Sequence, residues 1–93
     1  MASGHRVHLR IEGLVQGVGF RAATQAHARQ LGLTGWVRNL DSGDVETVVE
    51  GDTAPIESFV QWCSRGPPSA EVRSTHVMRE AATGEFQGFT VRR

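Results

Sequence analysis

The chain of 93 residues has one cysteine, no tyrosine and no excess of charge, ten basic side chains being matched by ten acidic ones. A lone thiol, Cys63, cannot close an internal disulfide, and it lacks the partners of a zinc site. Such sparing use of cysteine suits a reducing compartment, and a cytoplasmic protein is expected. Charge balance excludes a global field that gathers nucleic acid or anionic membrane, so any anion site must be built locally. The missing tyrosine, with phenylalanines at core-like positions, argues further against a sheet that stacks RNA bases. No apolar run reaches membrane-spanning length, and the N-terminal MASGHRVHLR lacks the apolar stretch of a signal peptide. His5, His8, His27 and His76 show no metal-ligand spacing, so neither metal nor cofactor is expected. Divided in two, a chain of this length would leave pieces too small to hold a core, so residues 1–93 are expected to form a single domain and a monomer.

What the chain does have is glycine, 11 in all, and a clear alternation of periods. Val7 to Glu12 alternate strictly, with Val7, Leu9 and Ile11 on one face, as in a half-buried strand. From Phe20 to Leu31 the small and apolar positions Phe20, Ala23, Thr24, His27, Ala28 and Leu31 form one stripe, and Gly32 supplies a left-handed stop, which predicts a helix. Gly35 to Leu40 and Val45 to Glu50 are valine-rich runs joined by Asp41, Ser42, Gly43 and Asp44, a hairpin with glycine in its turn. Glu46 and Glu50 are expected to solvate one face of that hairpin. Ile56, Phe59, Val60 and Cys63 then recur at helical spacing after a cap at Asp52 or Thr53, ending before Gly66, and place Cys63 in the core. Ala70 to Arg79 reads as a weakly patterned strand, and Phe89 with Val91 as a short last one. The order predicts an α+β, ferredoxin-like βαββαβ sandwich: an antiparallel sheet with two helices on one face and a short extra C-terminal strand.

The connection Gly13, Leu14, Val15, Gln16, Gly17, Val18, Gly19, Phe20 matches neither dinucleotide nor P-loop spacing. It can be a tight strand-to-helix turn, or a nest of inward backbone N–H groups at a helix start, which binds anions. Arg21 follows in the first helical turn, where the dipole disfavours a cation by roughly 0.3 to 1 kcal/mol. A bound phosphate would resolve the conflict through bidentate hydrogen bonds, while a solvated surface arginine is the plainer alternative. Asn39, beside Asp41, Ser42 and Gly43, reads on its own as a turn asparagine.

GLVQGVGFR resembles the signature of the acylphosphatase family: glycine, any residue, Val-Gln-Gly-Val, any residue, an aromatic and Arg. A second family signature is present as Gly35, Trp36, Val37, Arg38, Asn39, then Gly43, Val45 and Gly51. The resemblance implies that Arg21 binds a substrate phosphoryl group, that Asn39 orients the attacking water, and that the backbone amides of Val15, Gln16, Gly17, Val18, Gly19 and Phe20 complete the cradle. It also implies metal-independent hydrolysis of a small-molecule acyl phosphate to a carboxylate and inorganic phosphate, with phosphate or sulfate as a competing anion.

The chemistry is consistent with so little machinery. An ester must expel a poor alkoxide, whereas the leaving group of an acyl phosphate is a carboxylate whose conjugate acid has a pKa of roughly 4 to 5. Holding a water and stabilising the phosphoryl oxygens can then suffice. A non-catalytic anion-binding module would keep Arg21 and the loop but have no need of Asn39.

Overall fold

The computed structural model describes residues 4–93. Strand β1 (His5–Leu14) is followed by helix α1 (Phe20–Gln30), the hairpin strands β2 (Thr34–Asn39) and β3 (Val45–Gly51), helix α2 (Thr53–Arg65), and strands β4 (Glu71–Ala81) and β5 (Phe89–Val91). One five-stranded sheet has the order β4-β1-β3-β2-β5. The expected βαββαβ sandwich is present, with one difference. The sheet is mixed rather than wholly antiparallel, because β5 runs parallel to β2. The chain leaves β4 at one edge and crosses to the other before pairing again, so β5 arrives in the same direction as β2.

Register divides the sheet into two unlike faces. Val7, Leu9 and Ile11 of β1 stand opposite Val49, Thr47 and Val45 of β3, and this face is covered by α1 over β2 and β5 and by α2 over β1 and β4. Ala28 of α1, Ile56, Phe59 and Cys63 of α2, and Phe89 of β5 complete a core from which solvent is excluded. Burial pushes the Cys63 thiol far up, as expected for a packing residue. Helix α1 ends as the glycine predicts: Leu33 N–H donates to Ala28 C=O at 2.9 Å and Gly32 N–H to Arg29 C=O at 3.1 Å, a double closure at a left-handed Gly32.

The other face carries Arg6, His8 and Arg10 of β1 with Glu50, Val48 and Glu46 of β3. Here one expectation is corrected. Glu50 does not solvate a strand face; the residue is only 5% exposed. It accepts hydrogen bonds from Thr83 N–H and Gly84 N–H, both at 3.0 Å, and from Arg6 at 3.0 Å. Residues 82–88, which connect β4 to β5, are thereby latched onto the sheet. Glu46 is also largely covered, held by Arg38 and His8, both at 2.6 Å. Trp36 lies on this face too, under the guanidinium groups of Arg38 and Arg92.

The Glu50 latch should be visible in acid. Burial alone would raise the carboxyl, but the Thr83 and Gly84 amides and Arg6 outweigh it and hold the group below the usual carboxylate range. The ionised form therefore favours the folded chain above the unfolded value of about 4.3. That stabilisation is lost as pH falls through the lower folded value. Glu50→Gln is expected to cost about 2 kcal/mol in urea denaturation at neutral pH, with the gap from wild type closing in acid. A gap that widens in acid would show that the charge does not stabilise the fold.

Candidate active site

The loop between β1 and α1 is anchored at both ends by buried apolar side chains. Val15 and Phe20 are each about 1% exposed, and the Phe20 ring packs against Trp62 with centroids 5.6 Å apart. Between them, Gly17 (φ 75°) and Gly19 (φ 77°) are left-handed. An added Cβ would meet nothing within 4 Å at either position, so glycine serves the backbone conformation rather than space. Gln16 and Val18 have negative φ. The sign thus alternates from residue 16 to 19, the pattern that turns successive N–H groups toward one side.

Gly19 is also the N-cap of α1, which has no side-chain cap and no acidic residue in its first turn. The first helical hydrogen bond is that of Ala23 N–H to Gly19 C=O at 3.1 Å. Among the described residues, the backbone N–H groups from Gln16 to Ala22 have no acceptor. The Ser69 hydroxyl donates to Val18 C=O at 2.7 Å. In a trans peptide the Gly19 N–H then points away from Ser69.

Arg21 is half-buried at this helix start. Arg6, Arg10, Arg38 and Arg79 all reach carboxylates, yet among the described residues Arg21 has no ion pair. Asn39 is the last residue of β2. Its register partner is Val45, which puts it on the helix-covered face, in line with Val37. Its Oδ1 is buried and has no hydrogen-bond partner among the described residues. An orphaned buried acceptor is costly, on the order of 1–3 kcal/mol, and marks a place where a ligand or water is held.

These groups meet. A cleft of about 270 Å³ is lined by the predicted Val15, Gly17, Gly19, Phe20, Arg21 and Asn39. Gln16 and Val18 do not line it. The Gln16 side chain turns to the β2–β3 hairpin, and the Val18 carbonyl is taken by Ser69. The remaining wall, not anticipated from the sequence, comes from Ala22 and Gln25 of α1 and Val91 of β5. Gln25 donates to Phe89 C=O at 3.1 Å and ties that wall together. Among the described residues, no carboxylate, imidazole or thiol lines the cleft. Three of the four histidines are engaged elsewhere: His8 with Glu46, His76 with Glu12, and His27 stacked on Trp62. Burial, and secondarily Arg65, lowers the pKa of His27. Among the described residues, no three His, Cys, Asp or Glu side chains form a group that could hold a metal ion.

A curled loop of unpaired amides, an uncapped helix start and an uncommitted guanidinium line one cleft on a ferredoxin-like frame, the class of α+β protein that the fold defines. The comparisons with known proteins agree with that class and narrow it. The Acylphosphatase family profile matches residues 7–91. An acylphosphatase of Methylococcus capsulatus is 51% identical over 88 residues, covering 95% of this chain and 96% of the relative. One of Anaeromyxobacter sp. is 48% identical over 92 residues, 99% of each. The crystal structure of acylphosphatase from Bacillus subtilis superposes with a TM-score of 0.92 at 32% identity, covering 96% of this chain and 99% of that one. The chain belongs to the acylphosphatase family.

Proposed function

We propose that this chain hydrolyses the carboxyl–phosphate bond of acyl phosphates, with the phosphoryl group held by Arg21 and the amides of the 15–20 loop and the attacking water held by Asn39. The observation that carries the reading is the buried, unpartnered Oδ1 of Asn39 in the same cleft as the unpaired Arg21. A carboxamide can accept a hydrogen bond from water without removing its proton, so it fixes the direction of attack rather than the basicity of the nucleophile. Water oxygen bonds to phosphorus as the bond from phosphorus to the acyl oxygen breaks. The electron pair leaves with the carboxylate, and the water proton passes to a non-bridging phosphoryl oxygen. That route suits a cleft to which, among the described residues, no carboxylate, imidazole or thiol contributes. Arg21 and the loop amides stabilise the equatorial oxygens, where charge is carried in the transition state.

Steady-state hydrolysis of acetyl phosphate, measured with and without a chelator, tests the reading. Turnover is expected to be unchanged by chelation and to be inhibited competitively by inorganic phosphate. Loss of activity in chelator, restored by magnesium or zinc, would refute the metal-independent mechanism. Phosphate binding without turnover would leave a non-catalytic anion module.

A further inference from the structure

We propose that the Gln16 side chain is a positioning residue, stapling the cradle loop to the neck of the β2–β3 hairpin and so setting where Asn39 stands relative to the bound anion. The proposal rests on the reading of Asn39 as the group that holds the attacking water. Gln16 Nε2 donates to Leu40 C=O at 2.7 Å and to Asp44 C=O at 2.8 Å. Both amide hydrogens are thereby used, one on each arm of the neck. Leu40 immediately follows Asn39, and Asp44 immediately precedes Val45, the residue that pairs with Asn39.

The same two carbonyls close the turn itself. Leu40 N–H donates to Asp44 C=O at 2.9 Å, and Gly43 N–H to Leu40 C=O at 3.1 Å. From the open face of the sheet, Arg10 holds the Asp44 carboxylate at 2.8 Å. The turn is therefore a compact unit, and Gln16 is the side chain that joins it to the cradle. The cradle has its own tethers in the Ser69 bond to Val18 and in helix α1. Cutting the Gln16 staple should leave the anion cradle formed while the neck carrying Asn39 drifts. Turnover then suffers more than anion affinity.

The side-chain chemistry at position 16 makes this testable. Methionine has similar length and no donor. Glutamate is nearly isosteric, but when ionised it presents negative oxygens to two carbonyls, and only its protonated form can donate. Gln16→Met is expected to lower kcat for acetyl phosphate by about 10- to 100-fold, the effect of a misplacement of roughly 1 Å. The inhibition constant of inorganic phosphate should change by less than about threefold. Made in the Asn39→Ala background, Gln16→Met should lower kcat no further, because two residues acting through one function are not additive. For Gln16→Glu, kcat relative to wild type should rise as pH is lowered from about 7 toward the carboxyl range near 4.3. Equal losses of kcat and phosphate affinity, an unchanged kcat, additivity with Asn39→Ala, or a flat pH ratio would each overturn the staple. If Asn39→Ala itself retains turnover, the reading of the site fails. If it loses turnover while Gln16→Met does not, only the staple fails.

Discussion

Asn39→Ala is expected to lower kcat for a small acyl phosphate by about 10²- to 10³-fold, the usual scale for losing one positioned polar group in an active site. Phosphate affinity should be nearly unchanged, because the assigned partner of Asn39 is water rather than the phosphoryl group. The structure adds an unusual companion result. The Asn39 Oδ1 has no protein partner among the described residues, so the loss of that oxygen breaks no hydrogen bond within the fold. The variant is expected to be about as stable as wild type, within roughly 1 kcal/mol. An inactive protein that melts close to the parent is the predicted outcome. Parallel loss of activity and phosphate binding would move Asn39 into the anion site, and a marked fall in stability would make it a structural residue of the hairpin.

Arg21→Ala should show an effect that depends on the presence of anion. Helix α1 has no acidic residue in its first turn and carries Arg29 in its last, where the dipole favours a cation. Arg21 is at the opposite, unfavourable end. In phosphate-free buffer the substitution is expected to be neutral or stabilising by a few tenths of a kcal/mol. With phosphate the order reverses. At about 100 times its dissociation constant, the ligand stabilises wild type by roughly 2.7 kcal/mol. In a domain of this size that is on the order of 10 °C or more in Tm. The variant should lose most of that shift together with its activity. Thermal melts of both proteins, with and without phosphate at matched ionic strength, decide the matter; an equal shift in both would remove Arg21 from the anion site.

Much of the frame could be read before the structure because it is written in local periods. The alternation of Val7 to Glu12, the stripe from Phe20 to Ala28 and the glycine turn at 41–44 depend on neighbours a few residues apart, and each element forms where its pattern lies. Arg21 and the glycine loop stood out as candidates for the same reason, since a cation at a helix start breaks a local rule. Asn39 was ambiguous. Its neighbours describe a turn, while its place in the strand puts it on the face of Val37, which the register with Val45 shows to be the covered one.

What escaped the sequence is long-range. Glu50 alternates like a solvated strand residue; it is buried because residues 82–88 fold back onto its carboxylate. The parallel pairing of β5 rests on three residues, too few for a pattern. Gln16 is one residue in a glycine-rich loop, and nothing near it in sequence announces the two carbonyls of the hairpin neck that it grips.

The crossing of residues 82–88 also bears on folding order. Arg21, the loop amides and Asn39 all lie in the first part of the chain, while the wall supplied by Val91 comes from its last strand. That strand is held by Gly35 N–H to Gly88 C=O at 2.9 Å and Arg92 N–H to Val37 C=O at 2.8 Å. Its pairing with β2 closes a long stretch of chain, as does that of β4 with β1, so neither edge of the sheet forms from local contacts alone. A chain emerging in synthesis order therefore has Arg21, the loop amides and Asn39 in hand before the strand that carries Val91 exists. The Val91 wall of the cleft is thus the last part of it to be synthesised, and it takes its place when β5 closes the second edge of the sheet.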